Sequence, residues 1–264
     1  ALFPYYTDDK ITESAELTGS KSIFRVHKTN KTFLWEPFSE RMFGLYKVSR
    51  HLYKSVYNNK IIFEEINHDL ELCFRYEWNT SDLFGFVRKS ALVNQAKEKL
   101  RISILDGIQN IVPYGVGSEL QRNVSNLADA YKRSELQKEN GIGIFALSAI
   151  IVDKAEPSEA LKANIVWSLG FDEPKHLLSS TQLKNFRNNQ DIHEENDIKG
   201  EKGAYFIFNE SELSPNAEKR WMIIANVNQT HSSICKLSET IKKSKNLVQL
   251  IQKDIDLGTQ KLIE

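Results

Sequence analysis

Cysteine is nearly missing from this chain: there are two in 264 residues, Cys73 and Cys235. Two thiols so far apart supply neither a disulfide framework nor a four-ligand zinc site, and both read as buried free thiols. Net charge is missing as well, with 35 basic side chains against 35 acidic ones. That balance removes the electrostatic case for a nucleic acid or an anionic membrane as partner. No run approaches the roughly 20 apolar residues of a membrane span. Ala1-Leu2-Phe3-Pro4 shows neither an initiator methionine nor a charged leader with an apolar core, so no signal peptide is visible and the cytoplasm is the favoured location. The chain reads as one end of a larger protein.

Patterns of independent chemistry are equally scarce. The six histidines form no His-x-His or His-x3-His pair, so no metal is expected. No glycine-rich phosphate cradle precedes a helix, and no cofactor is expected. Carboxylates occur side by side, as in Glu64-Glu65, but neighbours on a strand face opposite ways and cannot flank one bond. His193, in Asp191-Ile192-His193-Glu194-Glu195, falls in a polar surface loop over residues 188–203. A general acid or base must be held more firmly than such a loop holds it. Catalytic residues are therefore none, and the chain is expected to be inactive alone.

What is present is β-forming. The organising stretch is residues 100–117, LRISILDGIQNIVPYGVG. Its isoleucines read as a strand buried on both faces, broken at Asp106-Gly107 and driven out of the sheet by Pro113 and Gly115. Residues 22–27 and 32–35 read as a hairpin. Further strands are expected over 52–57, 60–67 and 70–78, the first two joined by a tight turn at Asn58-Asn59. Residues 84–94 and 100–110 read as another antiparallel pair. A helix is expected over 118–139, strands over 143–152 and 160–168 around a charged turn at 153–157, and a short helix over 175–186. Strands at 204–209 and 220–227 follow, joined across Ser214-Pro215-Asn216. Two helices, 232–243 and 246–263, close the chain. The fold class is mainly β: a large antiparallel β-sandwich with a few helices.

The order of strands, the run Phe84-Gly85-Phe86-Val87-Arg88-Lys89, the segment from Leu105 through Asp106-Gly107-Ile108-Gln109-Asn110 to Gly115, and the late Glu218-Lys219-Arg220-Trp221 strand carry a resemblance. They resemble the N-terminal supersandwich, of the galactose-mutarotase type, of cellobiose-phosphorylase-like glycoside phosphorylases and hydrolases. The resemblance implies a sandwich over residues 1–230 and a helical linker over 231–264. An (α/α)6 catalytic barrel would follow, and it is absent here. It implies a non-catalytic role: bracing that barrel and lending loops to a site for an oligosaccharide, with a homodimer among the associations expected.

Sugars stack apolar C–H faces on aromatic rings and satisfy their hydroxyls with amides and carboxylates. Trp78, Asn79 and Asp82, on one loop, and Asp106, Gln109, Asn110 and Tyr114, on another, are the candidate carbohydrate-binding residues. The alternative is a self-standing sandwich that binds carbohydrate or protein, with a mutarotase-like epimerase behind it. The last helix discriminates. If Leu247, Leu250, Ile251 and Ile255 fold onto the sandwich's own surface, the self-standing reading gains; if they stand exposed or lie against a neighbouring copy, the accessory reading gains.

Overall fold

In a computed structural model, residues 1–4, 14–28, 31–149 and 160–264 are described, apart from the side chains of 122–125. The turn expected at 153–157 lies outside them, as does the end of the strand expected over 143–152.

Fourteen strands form two sheets among the described residues. The first four strands of the large sheet follow a hairpin, β1 (Gly19–Lys28) and β2 (Lys31–Trp35). They are β3 (Val48–Lys54), β4 (Ile61–Asn67), β5 (Leu72–Ser81) and β6 (Gly85–Asn94), with β7 (Leu100–Ile111) crossing back to the hairpin. After α1 (Ser118–Ala130) come β8 (Lys132–Gln137), β9 (Ile142–Leu147), β10 (Lys162–Leu169) and β11 (Lys175–Leu177). The rest are α2 (Leu183–Arg187), β12 (Asp197–Lys199), β13 (Gly203–Leu213), β14 (Glu218–Thr230), α3 (His231–Lys243) and α4 (Leu247–Ile263). The small sheet runs β11-β13-β7-β1-β2, and the large one β12-β8-β9-β10-β14-β6-β5-β4-β3. All pairings are antiparallel. The mainly β, antiparallel sandwich is the architecture.

Strand alternation sorts side chains into layers. Phe24, Ile102 and Ile104 of the small sheet meet Phe74, Leu92 and Ile223 of the large one in the central core. On the small sheet's other face, Leu183 and Phe186 of α2 cover Ile23, Leu105 and Phe206. On the large sheet's outer face, Ile234 of α3 and Leu247, Ile251 and Ile255 of α4 pack on Val87, Ile165, Trp167 and Ile224. Each of those buried isoleucines contributes about 1.5–3 kcal/mol. Three of the four residues of the C-terminal stripe are thus spent on the chain's own sheet, while Leu250 is exposed.

Several expectations need correction. Residues 84–94 and 100–110 do not pair. β6 lies in the large sheet and β7 in the small one, because the five-residue connection turns a corner between sheets. Asn94, fully buried, holds that corner: its amide donates to the carbonyls of Glu98 (2.8 Å) and Leu213 (2.9 Å). Asp106-Gly107 does not break β7. Gly107 sits inside the strand, where a Cβ would lie 2.2 Å from the Tyr205 carbonyl oxygen, so glycine permits close approach of β13. The residue that takes positive φ is Asn110, at 57°. It is the extra residue of a bulge, since Gly203 pairs with Ile111 and Ala204 with Gln109.

The expected helix over 118–139 stops at Ala130. Lys132 and Ser134 bury their side chains as β8 pairs with β9, a tertiary pairing that overrides local helix preference. The helix expected over 175–186 is a three-residue strand followed by the short α2. Asn58-Asn59 belongs to a longer loop, closed by the Ser55 N–H donating to the Lys60 carbonyl (3.0 Å). Residues 188–203 are anchored by the buried Glu195, which accepts from the Leu178 and Ser179 amides at 2.8 Å. Cys73 is buried, its thiol pushed up to about 11 chiefly by burial. Cys235 is exposed on α3.

Candidate functional site

Among the described residues the inner face of the large sheet is uncovered towards its β3 edge, and this edge holds the candidate site. Cross-strand register sets the side chains in rows: Leu52, Phe63 and Tyr76 in one, Lys54, Ile61 and Trp78 in the next. Tyr76 stacks on Phe63 (centroids 4.8 Å apart, 15° between planes). Phe38 meets Tyr76 edge-on at 5.5 Å and 88°. Its backbone sits at φ 64°, a conformation that strains a bulky residue. The Phe38 N–H, donating to Glu65 at 2.8 Å, holds it there. Together with Glu16, Ser20, Lys21 and Ser22 these rings enclose a cleft of about 380 Å³.

The charges around the cleft are committed. Glu16 accepts from Lys21, from the Ser39 hydroxyl (2.8 Å) and from the Glu40 amide (3.0 Å). Burial pushes its carboxyl up, but these donors outweigh burial and hold it below the usual range. Glu65 takes the Trp35 indole N–H (2.8 Å) and Arg50 Nε (2.7 Å) besides Phe38. Glu36, fully buried, is gripped at both oxygens by Arg187 (2.7 and 3.0 Å). Glu64 and Glu65 do face opposite ways: Glu64 meets Arg75 and His51 on the outer face.

One layer below the cleft lies a buried polar cluster. Asp106 accepts from Ser22 (2.5 Å), Arg88 Nη1 (2.6 Å) and the Trp221 indole (2.5 Å). Arg88 and Asp106 are both fully buried. The Arg88 guanidinium rests 4.5 Å from the centre of the Tyr76 ring, and burial pushes the Tyr76 phenol up.

Of the residues expected from sequence, Trp78 alone lines the cleft. Asp106 is not available to a ligand, being sealed beneath it. Gln109 and Asn110 are buried supports: Gln109 Nε2 donates to the Glu16 carbonyl (2.7 Å) and Asn110 Nδ2 to the Thr18 hydroxyl (2.9 Å), which fixes the cleft's side wall. Asn79 alternates to the other face, buried, its amide donating to Glu77 (3.0 Å). Asp82 is exposed on the β5–β6 turn and pairs with Lys261 of α4 (2.7 Å). Tyr114 is exposed on the loop after β7, beneath Lys162. Trp35, Trp167 and Trp221 are core residues.

Sequence reasoning missed Phe38, Phe63, Tyr76, Glu16 and Lys21 as site residues. The i, i+2 run Phe74, Tyr76, Trp78 was the available signal for one aromatic face. Trp78 also walls a second chamber of about 590 Å³ on its other side, bounded by Leu2, Phe3, Ile61 and Phe86. Among the described residues no group of three or more His, Cys, Asp or Glu side chains could hold a metal ion, and no helix is long and apolar enough to cross a membrane.

No family model matches the chain, and no curated protein matches it. Among solved structures it is similar to one described as a kojibiose phosphorylase from the human microbiome, at 12% identity over 89% of this chain and 27% of that one, with a TM-score of 0.46. It is also similar to a polysaccharide lyase, at 12% identity over 80% and 26% of the two chains, TM-score 0.40. A galactose mutarotase-like protein from Clostridium acetobutylicum is a third, at 11% identity over 85% and 83%, TM-score 0.37. The chain spans about a quarter of the length of the first two.

Proposed function

We propose that this chain is a carbohydrate-binding β-sandwich without catalytic chemistry of its own, recognising sugar at the cleft beside Trp78. The observation that carries the reading is the convergence of Phe38, Phe63, Tyr76 and Trp78 with Glu16, Ser20 and Lys21 on one open concave face. Rings supply stacking surface and the polar wall supplies hydroxyl partners. The carboxylates there are held by several donors each, which suits fixed hydrogen bonding better than proton transfer. Burial of Leu247, Ile251 and Ile255 on the chain's own sheet favours the self-standing form.

A second reading, the support domain of a glycoside phosphorylase or hydrolase, is favoured by Val248, Leu250, Leu257, Leu262 and Ile263. These stand exposed along α4, where a neighbouring domain would cover them.

Calorimetric titration of the chain with a panel of gluco-oligosaccharides tests the binding reading. Trp78→Ala is expected to weaken binding roughly tenfold or more while the chain stays folded by circular dichroism. Binding unaffected by that substitution, or no binding across the panel, would overturn it.

A further inference from the structure

Trp78 separates two chambers of opposite character. The cleft on one side presents Glu16, Lys21, Ser20 and Ser22. The chamber on the other is walled by Leu2, Phe3, Ile61 and Phe86, with Asn58, Asn59, Asn79 and Thr80 as its polar lining. Part of that polarity is spent: Asn59 donates to Thr259 (2.7 Å) and accepts from Ser55 (2.8 Å), while the Asn79 amide nitrogen donates to Glu77 on the sheet's other face and its Oδ1 is buried without a partner. Both volumes lie within the range of small-ligand pockets.

We propose that the site takes a glycoside with an apolar aglycone. The sugar ring lies in the polar chamber, the aryl or alkyl group in the apolar one, and the glycosidic junction crosses the Trp78 indole. This rests on the carbohydrate reading above and names the ligand class for it. An oligosaccharide spanning both chambers would set hydroxyls against Leu2, Phe3 and Phe86, and a hydroxyl buried without a partner is penalised. A phenyl or alkyl group meets the same wall favourably, in proportion to the apolar area it hides.

The test is calorimetry of the chain with methyl and phenyl glycosides of glucose, galactose and mannose, and with cellobiose. For the sugar that binds, the phenyl glycoside is expected to bind roughly tenfold tighter than the methyl one. Phe86→Ala, at a partly exposed position, is expected to shrink that ratio to about threefold or less. Equal affinity for phenyl and methyl glycosides, cellobiose binding tighter than the phenyl glycoside, or a ratio unmoved by Phe86→Ala would each overturn the inference and leave the carbohydrate reading standing. Absence of binding by every sugar would overturn both.

Discussion

The inner face of the large sheet behaves as two surfaces made from the same strands. Where the five-stranded sheet lies over it, Phe74, Leu92 and Ile223 have no exposure and even an arginine, Arg88, is sealed from water. Towards β3, the same face shows Leu52 at 66% exposure and leaves Phe63 and Trp78 half-buried. Composition does not distinguish the halves, since both are aromatic and aliphatic. The lid does: five strands cannot cover nine. The difference teaches that an aromatic row is core or site according to what lies above it. A sequence pattern alone does not assign it.

The covered half should break first and hardest. Asp106 is the counter-charge for a buried guanidinium, and Asp106→Asn leaves Arg88 uncompensated in the interior. Removing one partner of such a pair is expected to destabilise the fold by about 3–5 kcal/mol, read as a lowered midpoint in urea. The double change Arg88→Met with Asp106→Leu should recover only part of that loss, because it removes the charge with its counter-charge but leaves the buried Ser22 and Trp221 donors without their acceptor. An Asp106→Asn variant as stable as the parent would show that Arg88 does not depend on Asp106 for its compensation.

The contrast extends to the outer face through α4, where adjacent residues have opposite fates. Ile251 is fully buried and Leu250 is 46% exposed. Ile251→Ala is expected to cost about 2–5 kcal/mol through the cavity it leaves. Leu250→Ala should stay within about 0.5 kcal/mol. Equal effects at the two positions would mean that α4 does not sit on Val87 and Trp167 as described.

Much of the fold is legible because local signals and tertiary demands agree. The β1–β2 hairpin, β4, β5, the α3–α4 pair and the turn at Ser214-Pro215-Asn216 (Asn216 at φ 60°) follow from alternation, periodicity and turn chemistry. The β6–β7 corner is not legible, since a mostly polar five-residue link between two strands looks the same whether the chain returns to its own sheet or crosses to the other. Asn94 decides it through contacts more than a hundred residues away. The site divides likewise. Trp78 could be picked out as an aromatic beside polar residues, but its partners were placed on the loop that follows, where Asp82 points to α4. Phe38 owes its place to Glu65, a contact between loop and strand that spacing does not encode. Asp106 reads from sequence as a strand break and a sugar contact, yet it stands within β7 and is fully buried. It serves the cleft from behind, through Ser22 and Arg88, where no ligand reaches.

A small effect, confined to acid pH, is expected on the outer face of the open half, at Glu64. Burial pushes its carboxyl up, but hydrogen bonds from Arg75, His51 and Tyr53 and the Arg75 charge outweigh burial and hold it below the usual glutamate value. A depressed carboxylate adds stability that is fully present above the unfolded value, roughly 4.3. That stability is lost as the pH falls through the lower folded value, because the unfolded chain takes up the proton first. Arg75 is half-exposed, so screening limits the contribution to within about 1 kcal/mol. Glu64→Gln should therefore flatten the decline of the urea midpoint below roughly pH 4.3. A decline as steep in the variant as in the parent would assign the acid sensitivity to other carboxylates, Glu16 beside the cleft foremost, and would make the open half's inner wall its more charge-dependent side.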